Sequence, residues 1–337
     1  MICADCIRDV TSRGGGGPIL VLLNPLASGG VALRWRPRIE AALLALGAVA
    51  EVHVSASVDD SCHWLAARPG RRVVLVGGDG SVGPLLPTLL AGGHTLGLIP
   101  AGTGNDFARA LGLLGQGLES ALQHAVRGPA RPIDLGQVRW SLTAAPPDEF
   151  VPIDKPAPTD PAPQTVLFAS SLTVGFDSVV AYRAETSRHR LPGQLHYLWA
   201  TLAELRVLNA WPIRLTTTPA LPDQDAAAPQ ALHLASVLNT ASYGGGMPVA
   251  PTARIDDGQL QLLRLCQTTR PRLLRLLHKM LRGRHLGEPE VRQHRFTRLT
   301  MHCDKPLPLG ADGNFIGQAR WLEVCCLPAA LPVVTRP

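Results

Sequence analysis

Apolar residues in the first third of the chain come in short unbroken runs, each followed by a polar or glycine-bearing loop and a stretch with helical spacing. Pro18-Ile-Leu-Val-Leu-Leu23 and Arg72-Val-Val-Leu-Val76 show no polar alternation, which is the pattern of strands buried on both faces. Residues 49–55 and 95–99 read as two more strands. Helices are expected over 31–46, where Leu33, Ile39, Leu43, Leu44 and Leu46 share one side, over 59–67, and over 81–90 despite its prolines. Repeated β-α units of this kind predict a parallel sheet with ligand loops at the carboxyl ends of its strands.

The pattern changes after Ile133-Asp-Leu-Gly136. Residues 143–164 carry seven prolines and no helical period, and 218–230 is a second stretch rich in Pro, Asp and Ala, so both read as insertions. Strand-like runs at 165–170, 213–217, 231–238 and 260–265, with a helical stretch at 177–208, predict an antiparallel β domain. A chain of 337 residues exceeds what one core usually holds. The division expected is a flexible glycine-rich tail at 1–17, an α/β domain at 18–136 and a β-rich domain at 137–319.

Composition narrows the classes of function. Apolar residues at 46% and charged residues at 17% describe a globular chain. Aromatic residues, at 4%, are too few to support base stacking along single-stranded nucleic acid, and no nucleic-acid module surrounds the basic runs, so no nucleic-acid partner is expected. The net charge of +6 fits an acidic partner without choosing one. Seven scattered cysteines are not a disulfide framework and suit a reducing cytoplasm; the Cys3/Cys6 spacing lacks the second pair that a metal knuckle needs. No apolar run spans a bilayer and no signal peptide opens the chain, so the expectation is a cytoplasmic protein whose membrane contact is peripheral, at the inner face.

Candidate chemistry sits in three loops that follow strands: Asn24-Pro25-Leu26-Ala27-Ser28-Gly29-Gly30, Gly77-Gly78-Asp79-Gly80-Ser81 and Gly102-Thr103-Gly104-Asn105-Asp106. Glycine lets backbone N–H groups close around phosphate oxygens, and a helix starting after such a loop aims its positive end at the same anion. Ser28, Ser81 and Thr103 add hydroxyl donors. Asp79 and Asp106 are carboxylates beside a polyphosphate, an arrangement that calls for Mg²⁺ or a water network between them. A tight turn alone accounts for one such loop, but not for three that each carry a hydroxyl or a carboxylate.

Gly77-Gly-Asp-Gly-Ser81 followed by Pro100-Ala-Gly-Thr-Gly-Asn-Asp-Phe107 resembles the catalytic domain of diacylglycerol kinases and their bacterial lipid kinase relatives. Sphingosine and ceramide kinases, and more distantly NAD kinases, are related. Matching motifs run in order from about 18 to 335: Asn24-Pro25 with Ser28-Gly29, Ile133-Asp134-Leu135-Gly136, Ser171-Leu-Thr-Val-Gly-Phe-Asp177, Asn239-Thr-Ala-Ser-Tyr-Gly-Gly-Gly-Met-Pro248, Ala253-Arg-Ile-Asp-Asp-Gly-Gln-Leu260 and Leu327-Pro-Ala-Ala-Leu-Pro-Val333. The resemblance implies an NAD kinase/diacylglycerol kinase-like fold, with a three-layer α/β nucleotide domain on a parallel sheet and a mainly antiparallel β-sandwich domain. It returns the last strand, at 320–335, to the first domain. It implies ATP held by Asn24, Pro25, Ser28, Gly77, Gly78, Asp79, Gly80, Ser81, Gly102, Thr103, Gly104 and Asn105, and Mg²⁺ organised by Asp79, Asp106 and, through water, Asp134. It places a second, structural metal at Asp256, Asp257 and the Leu260 backbone, where an Asp-Asp-Gly turn is the simpler reading. The general base falls on Asp312 of Asp312-Gly313-Asn314, with Asp79 and Asp106 completing the catalytic acids; position alone would make Asp312 a plain Asp-Gly turn.

Two departures bear on activity. Relatives carry Asn-Glu where this chain has Gly83-Pro84, and Glu where it has Asn314, which cannot take up a proton. The expected activity is transfer of the terminal phosphate of ATP to the hydroxyl of a diacylglycerol-like lipid. A sphingoid or polar acceptor, and a nucleotide-binding regulator with weakened catalysis, are the alternatives; a homodimer is an open assembly. Residues 270–295 carry Leu273, Leu274, Leu276, Leu277, Met280 and Leu281 at helical spacing among Arg272, Arg275, Lys279, Arg282 and Arg284. That pattern suits either a helix lying on an anionic membrane or an ordinary surface helix with its leucines in the core.

Overall fold

The computed structural model of the chain describes residues 17–143, 163–187, 194–221 and 228–336. The tail through residue 16 with Cys3 and Cys6, nearly all of the proline-rich insertion at 143–164, and 222–227 of the second insertion lie outside the described residues. The chain divides into two compact units: residues 1–135 with Ile255–Asp257 and Pro328–Pro337, and residues 136–254 with 258–327.

The first unit begins β1 (Ile19–Leu23), α1 (Val31–Arg34), α2 (Arg36–Ala45), β2 (Ala50–Val54), α3 (Val58–Ala66) and β3 (Arg72–Gly77). It continues through α4 (Asp79–Val82), α5 (Leu86–Ala91), β4 (Thr95–Pro100), α6 (Asp106–Ala110) and α7 (Leu118–Arg127). The strands pair in parallel in the order β4-β3-β1-β2. Val21, Leu23, Val74, Val76 and Ile99 pack against Ile39 and Leu43 of α2 and Leu122 of α7, so the unbroken apolar runs are buried as their pattern requires. The single helix expected over 31–46 is two helices broken at Trp35, since Pro37 has no N–H for a continuous ladder and restricts the residue before it. The stretch at 81–90 is likewise split into α4, a 3-10 turn at Gly83–Leu85 and α5, with Pro84 and Pro87 each entering at the first turn of a helix.

In the second unit β5 (Ala130–Ser141, from Gly136 onward) pairs with β6 (Gln164–Phe168), followed by β7 (Ser171–Val174), α8 (Phe176–Thr186), α9 (Gln194–Glu204), β8 (Trp211–Thr218) and β9 (Gln230–Leu238). Then come β10 (Leu260–Cys266), α10 (Arg270–Met280), β11 (Val291–Phe296), β12 (Arg298–Ala311) and β13 (Asn314–Val334). Among the described residues the strands of this unit pair antiparallel with one another, and β12 pairs with β8 through its first half and with β7 through its last residues. The shift occurs between His302 and Leu307, where Asp304-Lys305-Pro306 interrupts the ladder and lets the strand change partners. β9 sends Ala235 and Val237 into the sandwich core and Leu234 and Leu238 into a second cluster under α8, α9 and α10. Both faces of that strand are covered, which explains why apolar residues occupy both of them, with His233 and Ser236 buried among them. The end of β13 belongs to the first unit, where Val333 pairs in parallel with Leu96.

Candidate functional site

The three loops leave adjacent strands β1, β3 and β4 at their carboxyl ends, so parallel pairing brings together segments that lie about 50 and 25 residues apart in sequence. Side chains then tie them to one another. Asn24 Nδ2 donates to Ser81 Oγ at 2.8 Å, while its Oδ1 accepts the Leu26 N–H at 3.0 Å, joining the first loop to the second. Asp79 joins the second to the third: its Oδ2 accepts the Asp106 N–H at 2.8 Å and its Oδ1 the Phe107 N–H at 3.0 Å. Asp79 thereby caps α6 from another loop, since the residue at the cap position, Asn105, makes no capping bond of its own.

Asn105 closes the third loop instead. Its Oδ1 accepts the Gly102 N–H at 2.9 Å and its Nδ2 donates to the Gly102 carbonyl at 2.6 Å, with its backbone in the left-handed region at φ 53° that asparagine tolerates. The second and third loops touch backbone to backbone. A Cβ on Gly102 would lie 2.5 Å from the Gly78 Cα, and one on Gly78 would lie 2.6 Å from the Gly102 Cα. Only glycine permits that approach, and Thr103 stands exposed at the tip beside it.

The electrostatics follow from burial. Burial pushes the Asp79 carboxyl above the ordinary range, the two α6 amides pull it back, and Asp106 beside it adds to the rise. Asp106 is itself buried and paired with Arg109 at 2.7 Å. Asp134 is buried and accepts the Ala329 N–H at 2.8 Å. Asp256 forms an ion pair with Arg131 at 3.0 Å, so a structural metal there would have to displace or share that partner. No cluster of three or more metal-ligating side chains occurs among the described residues. The cradle of bare backbone at Gly78 and Gly102 fits a polyphosphate, and the carboxylates, already partnered, fit Mg²⁺ held through water.

In the second unit Asp312 and Gly313 form a two-residue hairpin turn between β12 and β13, both with positive φ, at 46° and 86°. The Asp312 side chain is buried and turns back onto the strand connection before β7. Its Oδ2 accepts the Ala169 N–H at 2.8 Å, and its Oδ1 accepts those of Ser170 and Ser171 at 2.7 and 3.0 Å. Asn314 follows, exposed.

Sequence reasoning missed two features. Asp177, at the start of α8, accepts from Ser236 Oγ at 2.9 Å and from the Tyr243 hydroxyl, and burial pushes its carboxyl above the ordinary range against both donors. The residue lay inside a recognised motif, but its partners come from strands and loops about 60 residues away. A cavity of about 180 Å³ also opens beside Asn105, walled by Trp35, Pro100, Leu113, Leu114 and Leu118, with Gln116 at its edge. Its residues come from three elements with no shared spacing, so no motif announced it.

Comparison with known proteins bears on the family and the fold. The family model described as "Diacylglycerol kinase catalytic domain" matches residues 18–138, and "YegS C-terminal NAD kinase beta sandwich-like domain" matches 170–335. A diacylglycerol kinase of Mycobacterium tuberculosis is 33% identical over 323 residues, covering 94% of this chain and 95% of that protein. A diacylglycerol kinase of Bacillus subtilis is 25% identical over 270 residues, 79% of each chain. A crystal structure of a diacylglycerol kinase from Bacillus anthracis str. Sterne superposes with a TM-score of 0.61 at 16% identity, covering 95% of this chain and 97% of that one, a likeness of fold. With two consecutive domain matches and a relative that is one-third identical from end to end, the chain belongs to the diacylglycerol kinase catalytic-domain family, in its bacterial lipid kinase branch.

Proposed function

We propose that this chain transfers the terminal phosphate of ATP to the free hydroxyl of a diacylglycerol-like lipid. The observation that carries the proposal is the joining of the three loops, by Asn24–Ser81, by Asp79 with the α6 amides, and by the Gly78–Gly102 approach, into one surface of bare backbone. In this reading Asn24, Pro25 and Ser28 and the loops at Gly77–Ser81 and Gly102–Asn105 hold the phosphates, and the cavity beside Asn105 supplies a wall for the rest of the nucleotide. Asp79, Asp106 and Asp134 would hold Mg²⁺, which would supply neutralisation of charge developing on the transferring group. The resemblance assigns proton removal to Asp312. Its oxygens already accept three amide hydrogens, so taking up a proton competes with the backbone it holds. Phosphoryl transfer depends mostly on positioning and charge stabilisation, which tolerates a modest base.

The test is transfer of γ-labelled phosphate from ATP with Mg²⁺ to mixed micelles holding diacylglycerol, monoacylglycerol, ceramide or a sphingoid base, beside sugar and NAD controls. Label in the diacylglycerol fraction is the expected result. ATP binding without label in any acceptor would reject the proposal. It would favour the second reading, a nucleotide-binding regulator, which rests on the Asp312 carboxylate held by backbone amides and the acids missing at Pro84 and Asn314.

A further inference from the structure

The helix α10 divides cleanly by face. Leu273, Leu276 and Met280 are buried in the cluster under β9 and β10, so part of the apolar pattern is ordinary core. Two of its cations are also accounted for: Arg272 pairs with Glu288 and Glu290, and Lys279 pairs with Glu288. These pairs lie along one flank of the helix, close to the protein surface.

What remains is the outward face. Pro271, Leu274, Arg275, His278, Leu281 and Arg282 are all exposed, with Leu274 at 44% and Leu281 at 54%. At 3.6 residues per turn, Leu274 and the capping residue Leu281 lie two turns apart on one side, with Arg275 beside Leu274 and Arg282 in the turn that follows the helix. Arg282 also donates to His278. From Arg270 through Gly287 the sequence contains six Lys or Arg residues and no acid. No carboxylate among the described residues pairs with Arg275, Arg282 or Arg284. Arg270 donates to the Arg206 carbonyl at 2.9 Å, which ties the 205–207 turn to the start of the helix, and Val207 in that turn is 63% exposed.

An isolated exposed leucine needs no explanation. Two on one side, beside Arg275 and Arg282 that pair with no carboxylate among the described residues, on a helix that has a separate core face, describe an interfacial helix: an apolar edge that enters the acyl boundary and a cationic edge that meets anionic headgroups. We propose that the outer face of α10, with Val207, seats this protein on an anionic lipid bilayer. Charge complementarity and the exposed leucines select a bilayer over a nucleic acid, which would meet the arginines but leave the leucines in water. The benefit to function rests on the lipid kinase reading, since an acceptor buried in a membrane is reached from its surface; the docking itself does not.

The experiment is co-sedimentation of the full chain, without nucleotide, with phosphatidylcholine vesicles and with vesicles of equal parts phosphatidylcholine and phosphatidylglycerol. Strong, salt-sensitive binding to the second and weak binding to the first are expected. Arg275→Gln with Arg282→Gln should weaken binding roughly thirtyfold, at about fivefold per arginine. Leu274→Gln with Leu281→Gln should weaken it about tenfold and blunt the salt dependence little. All four positions are exposed, so melting temperature should hold, and turnover on a water-dispersed short-chain diacylglycerol should match the parent. Equal binding to both vesicle types, or binding unaffected by either pair, would overturn the proposal. So would arginine-dependent binding to duplex DNA with vesicle binding at background. A chain with no kinase activity would still give a clear answer here, so the two readings fail separately.

Discussion

Replacing Asp312 with alanine removes the acceptor for three buried backbone amides at once, those of Ala169, Ser170 and Ser171. Each buried donor left unsatisfied costs about 1–3 kcal/mol, while the left-handed backbone at φ 46° crowds the Cβ of aspartate and alanine alike and adds little to the difference. A working total is about 5 kcal/mol, which for a unit of this size corresponds to a melting shift of roughly 10–20 °C. Asparagine is a milder change: it tolerates the left-handed backbone and its oxygen can keep Ser170 and Ser171, but its amide group would face the Ala169 N–H. That single mismatch predicts a loss of about 1–3 kcal/mol.

The pair of variants separates an anchoring carboxylate from a proton acceptor. Thermal melting and single-turnover phosphate transfer would be measured on both, well below their melting transitions. Melting of the alanine variant within about 2 °C of the parent would refute the hydrogen-bond reasoning, since even one orphaned amide exceeds that. Turnover of the asparagine variant is the second reading: loss of a general base slows transfer by about 10²–10⁴, whereas loss of an anchor that is mostly preserved does not. Retention of transfer within about tenfold would remove Asp312 as base while leaving its structural role intact.

Other substitutions test the loop assembly and the buried acids. Gly102→Ala forces a Cβ to within 2.5 Å of the Gly78 Cα, a backbone clash that no rotamer relieves. It should cost about 1–3 kcal/mol and weaken ATP binding by about tenfold or more in calorimetric titration; unchanged affinity and melting would show the loops can part freely. Asp79→Ala uncaps α6 and should lower stability by about 1–2 kcal/mol while reducing phosphate transfer far more than Asp79→Asn does, read by comparing melting and kcat for the two. Asp177 has a folded-state pKa above its unfolded value, so the native state binds more protons between the two and its stability falls as pH rises through that window. Asp177→Asn should therefore flatten the melting temperature from pH ~4 upward relative to the parent, and parallel melting profiles would reject the assignment.

How far the fold could be read from the sequence depended on where each segment's apolar neighbours lie. β1 and β3 were plain because parallel strands covered on both faces leave unbroken runs. β12 and β13 were not, because their 14 and 21 residues pass through bulges, prolines and a change of partner, so no single period survives along them. The breaks at Trp35 and at Gly83–Leu85 were encoded by Pro37 and Pro84, whose restriction of the local backbone outweighs the leucine spacing around them. For α10 the leucine count suggested one broad apolar face, and only tertiary packing divides it into a core edge and an outer edge.

The site divides in the same way. The three glycine loops were legible because their pattern is local: glycine, hydroxyl and carboxylate within a few residues, directly after a strand. What binds the loops together was not, since Asn24–Ser81 and Asp79 with the α6 amides join residues 57, 27 and 28 positions apart. Those cross-links change the meaning of the acids. A carboxylate seen in a motif invites a catalytic reading, yet Asp79, Asp106, Asp134 and Asp312 each already serve a backbone amide or a guanidinium. Each acid is therefore fixed in orientation before any ligand arrives. A phosphoryl-transfer site gains more from such preorganised charge than from a freely titrating base. By that argument the Pro84 and Asn314 departures remove acids, and Gly83 an amide, beyond the preorganised set, so they should alter which hydroxyl is accepted more than whether nucleotide is held.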